Sequence, residues 1–234
     1  MIAPVTSTPV ITIDGPSGVG KGAISAALAD TLGWHLLDSG AVYRAVALVA
    51  SERGIDPTDE RQLVAVCEGM DLQFQSSDSG IAVLIDGAAV EERLRTEQVS
   101  QMASKVAAIP SVRRALLDLQ YSFRQPPGLI ADGRDMGTVV FPDAVAKIFL
   151  TASAHERATR RFKQLKEKGE DVIFDRLLSD IDERDRRDRE RTVSPTVPAA
   201  DAKVIDSTDM NLNQVIVQAT AYVESRLGMI GKSE

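Results

Sequence analysis

The alternation of apolar and polar positions changes character along the chain and marks out its elements. Val10–Ile13 is a short β-branched run ending in Asp14. A glycine-rich turn follows, then Lys21–Leu32 with apolar residues at helical spacing. Gly33 ends that helix, His35–Leu37 is a minimal second strand, and Asp38 or Ser39 can cap a helix over Ala41–Arg53 that stops at Gly54. A βαβα opening implies a parallel sheet. From about Met70 to Val90 the period shortens: Asp71-Leu-Gln-Phe-Gln alternates, Ser76–Gly80 reads as a turn, and Ile81–Gly87 as a returning strand. This predicts a small antiparallel insertion. Thr96–Ala108 is then helical and stops before Pro110, and Ser111 can cap a further helix on which Val112, Leu116, Leu119 and Phe123 recur.

Gly128–Asp132 and Val145–Leu150 are short apolar runs of the kind found in buried parallel strands, which restores the α/β pattern. Ser153-Ala-His-Glu156 has the form of a capping box at the head of a charged helix. Lys168-Gly-Glu170 breaks that helix, and a second charged helix is expected from about Ile173 to Arg191, before Pro195. Lys203–Asp206 is the last strand and Asn213–Leu227 the last helix.

With 234 residues, 44% of them hydrophobic and 26% charged, the chain has the composition of an ordinary globular domain carrying insertions. Its single cysteine, Cys67, rules out an intramolecular disulfide, and one Cys with two His leaves little from which to build a zinc site. The first residues, MIAPVTSTPV, contain no basic segment leading into an apolar run, and no stretch is long and apolar enough to span a bilayer. The expected location is therefore cytoplasmic, with no membrane partner. A net charge of −7 argues against a general nucleic-acid binder. The cations are nonetheless unevenly chosen, 19 Arg against 8 Lys, and Arg is the side chain suited to forked grips on phosphate.

Gly15-Pro-Ser-Gly-Val-Gly20-Lys21 has the glycine and lysine spacing of a phosphate-binding P-loop and sits between a predicted strand and a predicted helix, as that motif requires. Its glycines let successive N–H groups turn onto a phosphate, the helix start adds its positive end, and Lys21 reaches the β- and γ-phosphates. Gly22 stands where such loops carry Ser or Thr, and Ala23 has no hydroxyl either. A Mg²⁺ ion arriving with ATP is thus left to nucleotide oxygens, waters and a carboxylate, with no protein side chain assigned as metal ligand. A GTPase switch is excluded for want of its base-reading Asn-Lys-x-Asp, since the only asparagines are Asn211 and Asn213. A small-metabolite kinase fits the chain better than a motor.

Leu36-Leu-Asp-Ser-Gly-Ala-Val-Tyr-Arg44 puts Ser39 at a strand's carboxyl end, where open α/β sheets bind ligands. Ile130-Ala-Asp-Gly-Arg-Asp-Met-Gly137 brings Arg134 and Asp135 off another strand. In Arg184-Asp-Arg-Arg-Asp188-Arg-Glu-Arg191, three residues (Arg184, Asp188, Arg191) fall within about 60° on a helical wheel and share a face. These motifs, in this order, closely resemble those of the bacterial cytidylate kinases, over essentially the whole chain. At position 23 that family usually has Thr.

The resemblance implies an α/β P-loop kinase fold: a parallel sheet flanked by helices, a small antiparallel insertion and a helical lid. It implies one domain, with a core of about residues 1–65 and 106–234, an acceptor-binding insertion at about 66–105 and a lid at about 153–195. The implied reaction transfers the γ-phosphoryl group of ATP, with Mg²⁺, to CMP or dCMP in a monomer. ATP would lie on Gly15, Pro16, Ser17, Gly18, Val19, Gly20, Lys21, Gly22 and Ala23. Carried over by position, Arg44, Arg134 and Arg191 grip the acceptor phosphate, Arg184 and Asp188 the pentose, and Ser39, Ser104, Arg113 and Asp135 read cytosine. Lys21, Arg134, Arg184 and Arg191 form the catalytic set.

The chemistry suits such residues. A phosphate monoester has its second pKa near ~6, so the attacking group is already an anion and needs no general base. The work is positioning and charge neutralisation. A carboxylate at Asp135 would accept from the cytosine amino group and would face the uracil carbonyl acceptor to acceptor. Arg186, Arg187 and Arg189 read as a solvated helix face, Cys67 as a packed apolar residue, and Asp14 and Asp132 either as loop-bracing carboxylates or as part of a metal shell. The alternatives are a kinase for another monophosphate or small metabolite, and a non-catalytic module that senses ATP.

Overall fold

The computed structural model describes residues 8–77, 80–94, 96–167 and 169–230. In chain order they form β1 (Val10–Asp14), α1 (Lys21–Leu32), β2 (His35–Asp38), α2 (Ser39–Glu52), α3 (Glu60–Gly69), β3 (Leu72–Ser77), β4 (Gly80–Ile85), β5 (Ala88–Ala89), α4 (Glu91–Leu94), α5 (Glu97–Val106), α6 (Pro110–Ala115), α7 (Leu117–Ser122), β6 (Leu129–Gly133), one π-helical turn (Met136–Val140), β7 (Ala146–Thr151), α8 (Ala154–Glu167), α9 (Phe174–Arg189), β8 (Lys203–Asp206) and α10 (Leu212–Ile230). Two compact units result, one made of the chain up to Leu37 and from Phe123 onward, the other of Asp38–Ser122.

Among the described residues, the first unit holds a five-stranded sheet of order β2-β6-β1-β7-β8. β1 pairs in parallel with β6 on one side and β7 on the other, and β7 with β8. Every residue of β1 and β6 is buried, which is why their sequences are mostly apolar rather than alternating. Ile11, Ile13, Ile130, Ile148 and Leu150 belong to one core cluster with Ile24 and Leu28 of α1 and Val215, Ala219 and Val223 of α10. β2 is an edge strand, and His35 covers its approach by donating from Nε2 to the Pro126 carbonyl at 3.0 Å. The indole of Trp34 lies directly on the backbone entering β6, since a Cβ at Gly128 would fall 2.2 Å from the ring.

Helices α8 and α9 pack on each other. The Ser153 hydroxyl accepts from the Glu156 N–H at 3.2 Å, but the reciprocal half of the expected capping box does not form. The Glu156 carboxylate pairs instead with Arg160, whose guanidinium is fixed to the Ser207 carbonyl at 2.7 Å, and the Ser153 N–H goes to the Thr208 hydroxyl. Arg186 and Arg189 are exposed and Arg187 pairs with Glu183 one turn away, as a solvated face does.

In the second unit α2 is buried along most of its length and packs on α5. Asp38 is its cap, accepting the Ala41 N–H at 3.0 Å, and Ser39 is the first helical residue. β3, β4 and β5 form an antiparallel sheet. β3 runs on to Ser77, and Asp78 and Ser79 of the expected turn lie outside the described residues. Between α2 and this sheet is α3, which the apolar pattern did not announce. Asp59 caps it by accepting the Gln62 N–H at 3.0 Å. The helix expected to start from a Ser111 cap starts at Pro110, a residue well suited to a first turn, and breaks near Leu116 into α6 and α7. Ser111 is free for another task, and its hydroxyl donates to Glu60 at 2.6 Å.

Candidate active site

The loop between β1 and α1 takes the shape a P-loop needs. Gly15 has φ +145°, and a Cβ there would lie 2.0 Å from the Leu150 carbonyl oxygen, so β7 presses on the loop where only glycine fits. Gly18 and Gly20 also have positive φ, and Gly20 enters α1 with no side-chain cap on the helix. The first N–H groups of α1 therefore face outward for an anion. Lys21 is 7% exposed, its ammonium donating to the Pro16 carbonyl at 3.0 Å and lying 3.9 Å from the Asp132 carboxylate. That carboxylate also borders Gly22, 3.7 Å from where its Cβ would be. Ala23 is exposed beside it.

Further along the same unit, the Asp188 carboxylate takes two guanidinium groups, Arg134 Nε at 3.2 Å on one oxygen and Arg191 Nη2 at 2.5 Å on the other. Arg134 also donates to the Gly133 carbonyl at 3.2 Å. Burial pushes the Asp188 carboxyl up, but the charges of Arg134, Arg191 and Arg184 together hold it below the usual carboxylate value. The four residues thus form one cluster, although not on one helical stripe as the spacing predicts. α9 ends at Arg189, where the Glu190 N–H closes onto the Arg186 carbonyl. The returning chain then bonds back, Thr196 N–H to Asp188 C=O at 3.0 Å. Arg191 reaches Asp188 from beyond the helix end.

Asp135 is 2% exposed and opens the π-helical turn. That turn is tied to β1 by Asp14, whose two carboxylate oxygens accept the N–H groups of Met136 and Gly137, each at 2.8 Å. Asp14 therefore takes the bracing role of the two open to it. Its carboxyl is pushed up to about 6 by burial, against which the two N–H bonds and the Lys21 charge act, while the Asp135 charge adds to the rise.

The remaining expected residues belong to the second unit. Ser39 is buried and Arg44 half-buried on α2, Ser104 is buried on α5, and Arg113 is buried on α6. Arg113 donates to the Ala107 carbonyl at 3.0 Å, and its guanidinium lies over the Tyr43 ring, 5.4 Å from the centroid. This contact brings α6 and α2 together and fixes a charged fork within the unit. Cys67 is buried and its thiol pushed up to about 12, mainly by burial, so it is inert packing.

Sequence reasoning singles out nothing at Arg157 of α8, one basic residue of a charged helix. It is 3% exposed and its fork closes on both oxygens of Asp185. A basic residue flanked by Ala158 on the buried side of a helix was the available signal.

Comparison with known proteins identifies the family. A family model described as cytidylate kinase matches residues 11–225. The chain is 58% identical over 221 residues to the cytidylate kinase of Klebsiella pneumoniae, covering 94% of this chain and 97% of that one. It is 56% identical to the cytidylate kinase of Photobacterium profundum, covering 95% and 97%. Among solved structures, an uncharacterized protein from Eubacterium ventriosum shares the fold at 12% identity with a TM-score of 0.50, covering 93% of this chain and 99% of that one. Loop, arginine cluster, fold and relatives point the same way: this chain belongs to the cytidylate kinase family.

Proposed function

We propose that this enzyme transfers the γ-phosphoryl group of ATP to CMP, and also to dCMP, giving the diphosphates. The observation that carries the reading is the pairing of Arg134 and Arg191 on Asp188 in the unit that bears the P-loop: forked cations are preset for a phosphate and fixed against solvent. Residues 15–23 take the donor, with Lys21 reaching its terminal phosphates. Arg44, Arg134 and Arg191 take the acceptor phosphate, Arg184 and Asp188 the pentose, and Ser39, Ser104, Arg113 and Asp135 the base. The acceptor dianion attacks in line without a general base, and the arginines neutralise the charge that gathers between the two polyanions. Residues 153–195 serve as a lid whose closure keeps water from the γ-phosphate.

Mg²⁺ enters with the nucleotide. Phosphate oxygens and waters are its main ligands in this reading. Asp132, bordering Gly22 and facing Lys21, is the carboxylate to steady it, and the ion's contribution is neutralising phosphate charge. The enzyme acts as a cytoplasmic monomer in this reading. No described helix is long and apolar enough to cross a membrane.

A coupled assay with ATP and CMP, dCMP, UMP, AMP and GMP tests the proposal. CMP and dCMP are expected to turn over fastest. Rapid phosphorylation of UMP or AMP with CMP untouched overturns the acceptor. Lys21→Ala is expected to abolish turnover, whereas an ATP-sensing module shows none to abolish.

A further inference from the structure

The Arg157 guanidinium joins three separate pieces of the first unit. Its Nε donates to the Ala152 carbonyl at the end of β7 (3.1 Å), and Nη1 donates to the Ser17 carbonyl in the phosphate loop (3.0 Å). Nη1 also reaches one oxygen of Asp185 at 3.1 Å while Nη2 grips the other. Its stem runs along the loop, 3.5 Å from where a Cβ on Gly18 would be. Asp185 is itself only 9% exposed, follows Arg184 directly and lies just before Asp188 on α9. Arg157 is thus enclosed, with its fork committed to the loop and to α9, and does not lie open to an incoming nucleotide.

We propose that Arg157 is a positioning residue for phosphoryl transfer, keying α9 to the phosphate loop so that the donor and the acceptor-binding side chains on and just beyond α9 are held in one register. The inference rests on the reading that residues 15–23 hold the donor and that Arg184, Asp188 and Arg191 act on the acceptor. In an in-line displacement the two phosphates must meet at bonding distance, and a displacement of about 1 Å from a change remote from the chemistry can cost ~100-fold in rate. A bidentate fork between loop and helix sets that distance, where a point-charge ammonium would not.

The test is steady-state kinetics of Arg157→Lys, Arg157→Met, Asp185→Asn and the Arg157→Met/Asp185→Asn double variant, each corrected for folded fraction by circular dichroism at the assay temperature. Arg157→Met and Arg157→Lys are expected to lower kcat by on the order of 30- to 100-fold. KM for MgATP and for CMP should stay within about 3-fold, because alignment is lost and contacts to substrate are not. The double variant should be no slower than Arg157→Met. If Arg157→Met fails to fold, Arg157→Lys and Asp185→Asn, which keep volume and shape, carry the same expectation. Losses that follow folded fraction alone, that appear only in KM for ATP, or that add in the double variant overturn the proposal. A chain that phosphorylates another monophosphate and not CMP overturns the acceptor reading only, and the series is then run with that acceptor. No turnover with any monophosphate overturns both.

Discussion

Asp14 offers a quantitative test of how the loop after β6 is held. Its carboxylate is buried at the end of β1, accepts the Met136 and Gly137 N–H groups, and has its pKa raised from 3.8 to about 6, burial being the largest cause. A folded-state value above the unfolded one means that the folded protein holds the proton more tightly between those two pH values. The stability this gives is fully present below the unfolded pKa and is lost as pH rises through the folded one. At about 1.4 kcal/mol per pKa unit, the full span amounts to roughly 3 kcal/mol, of which about 1.4 kcal/mol falls between pH 5 and 7.5. Carboxylates with lowered values, such as Asp143, Asp188 and Asp201, act with the opposite sign, so the raw pH curve mixes both. Subtracting the curve of Asp14→Asn isolates Asp14, because the amide does not titrate. Urea unfolding of both proteins at several pH values should show the parental protein losing about 1.4 kcal/mol relative to the variant from pH 5 to 7.5. The variant should also be slower with CMP at every pH, since an amide carries one acceptor oxygen where two N–H groups need one each. A flat difference curve, or one that rises with pH, refutes the assignment of a buried, raised carboxyl.

Three further outcomes follow from the same geometry. Asp135→Ala is expected to erode the CMP-over-UMP preference in kcat/KM by at least about 10-fold, and equal losses on both substrates would show that Asp135 does not read the base. Gly15→Ala forces a Cβ against the Leu150 carbonyl and should destabilise the protein by about 3 kcal/mol or more; a melting temperature within a degree or two of the parental value would contradict the close approach. Ala23→Thr supplies the hydroxyl that the loop lacks and should lower the KM for MgATP, measured at saturating CMP, and an unchanged KM would mean that Asp132 and the phosphates already satisfy the ion.

The parts of the fold visible in the sequence were those set by local physics. Val10–Asp14 and Gly128–Asp132 are mostly apolar, closing on a carboxylate, because both faces of a central parallel strand are covered, and Gly15–Lys21 is legible because backbone conformation dictates its glycines. The capping box at Ser153 was half legible: Ser153 acts locally, but Glu156 answers to Arg160 and through it to Ser207, a partner set by tertiary packing. The π-helical turn at Met136–Val140 had no local signature, being imposed by Asp14 more than a hundred residues earlier. Arg157 was hidden for the same reason, since a buried arginine and an exposed one look alike in a charge run until Ser17 and Asp185 are seen around it. Arg191 was found by a helical spacing that the structure does not use, and its pairing with Asp188 survives because the chain beyond α9 folds back on it.

Trp34, pressed on Gly128 at the sheet edge, is the only tryptophan of the chain. Its emission therefore reports on the unit that carries the five-stranded sheet, whereas Asp38–Ser122 contains no tryptophan and carries Tyr43, Phe74 and Tyr121. Intrinsic fluorescence and far-ultraviolet dichroism thus sample the two units differently without any label. Coincident transitions by both probes would establish that the units melt as one cooperative body, and an early dichroism change at constant tryptophan emission would resolve Asp38–Ser122 as a separate step.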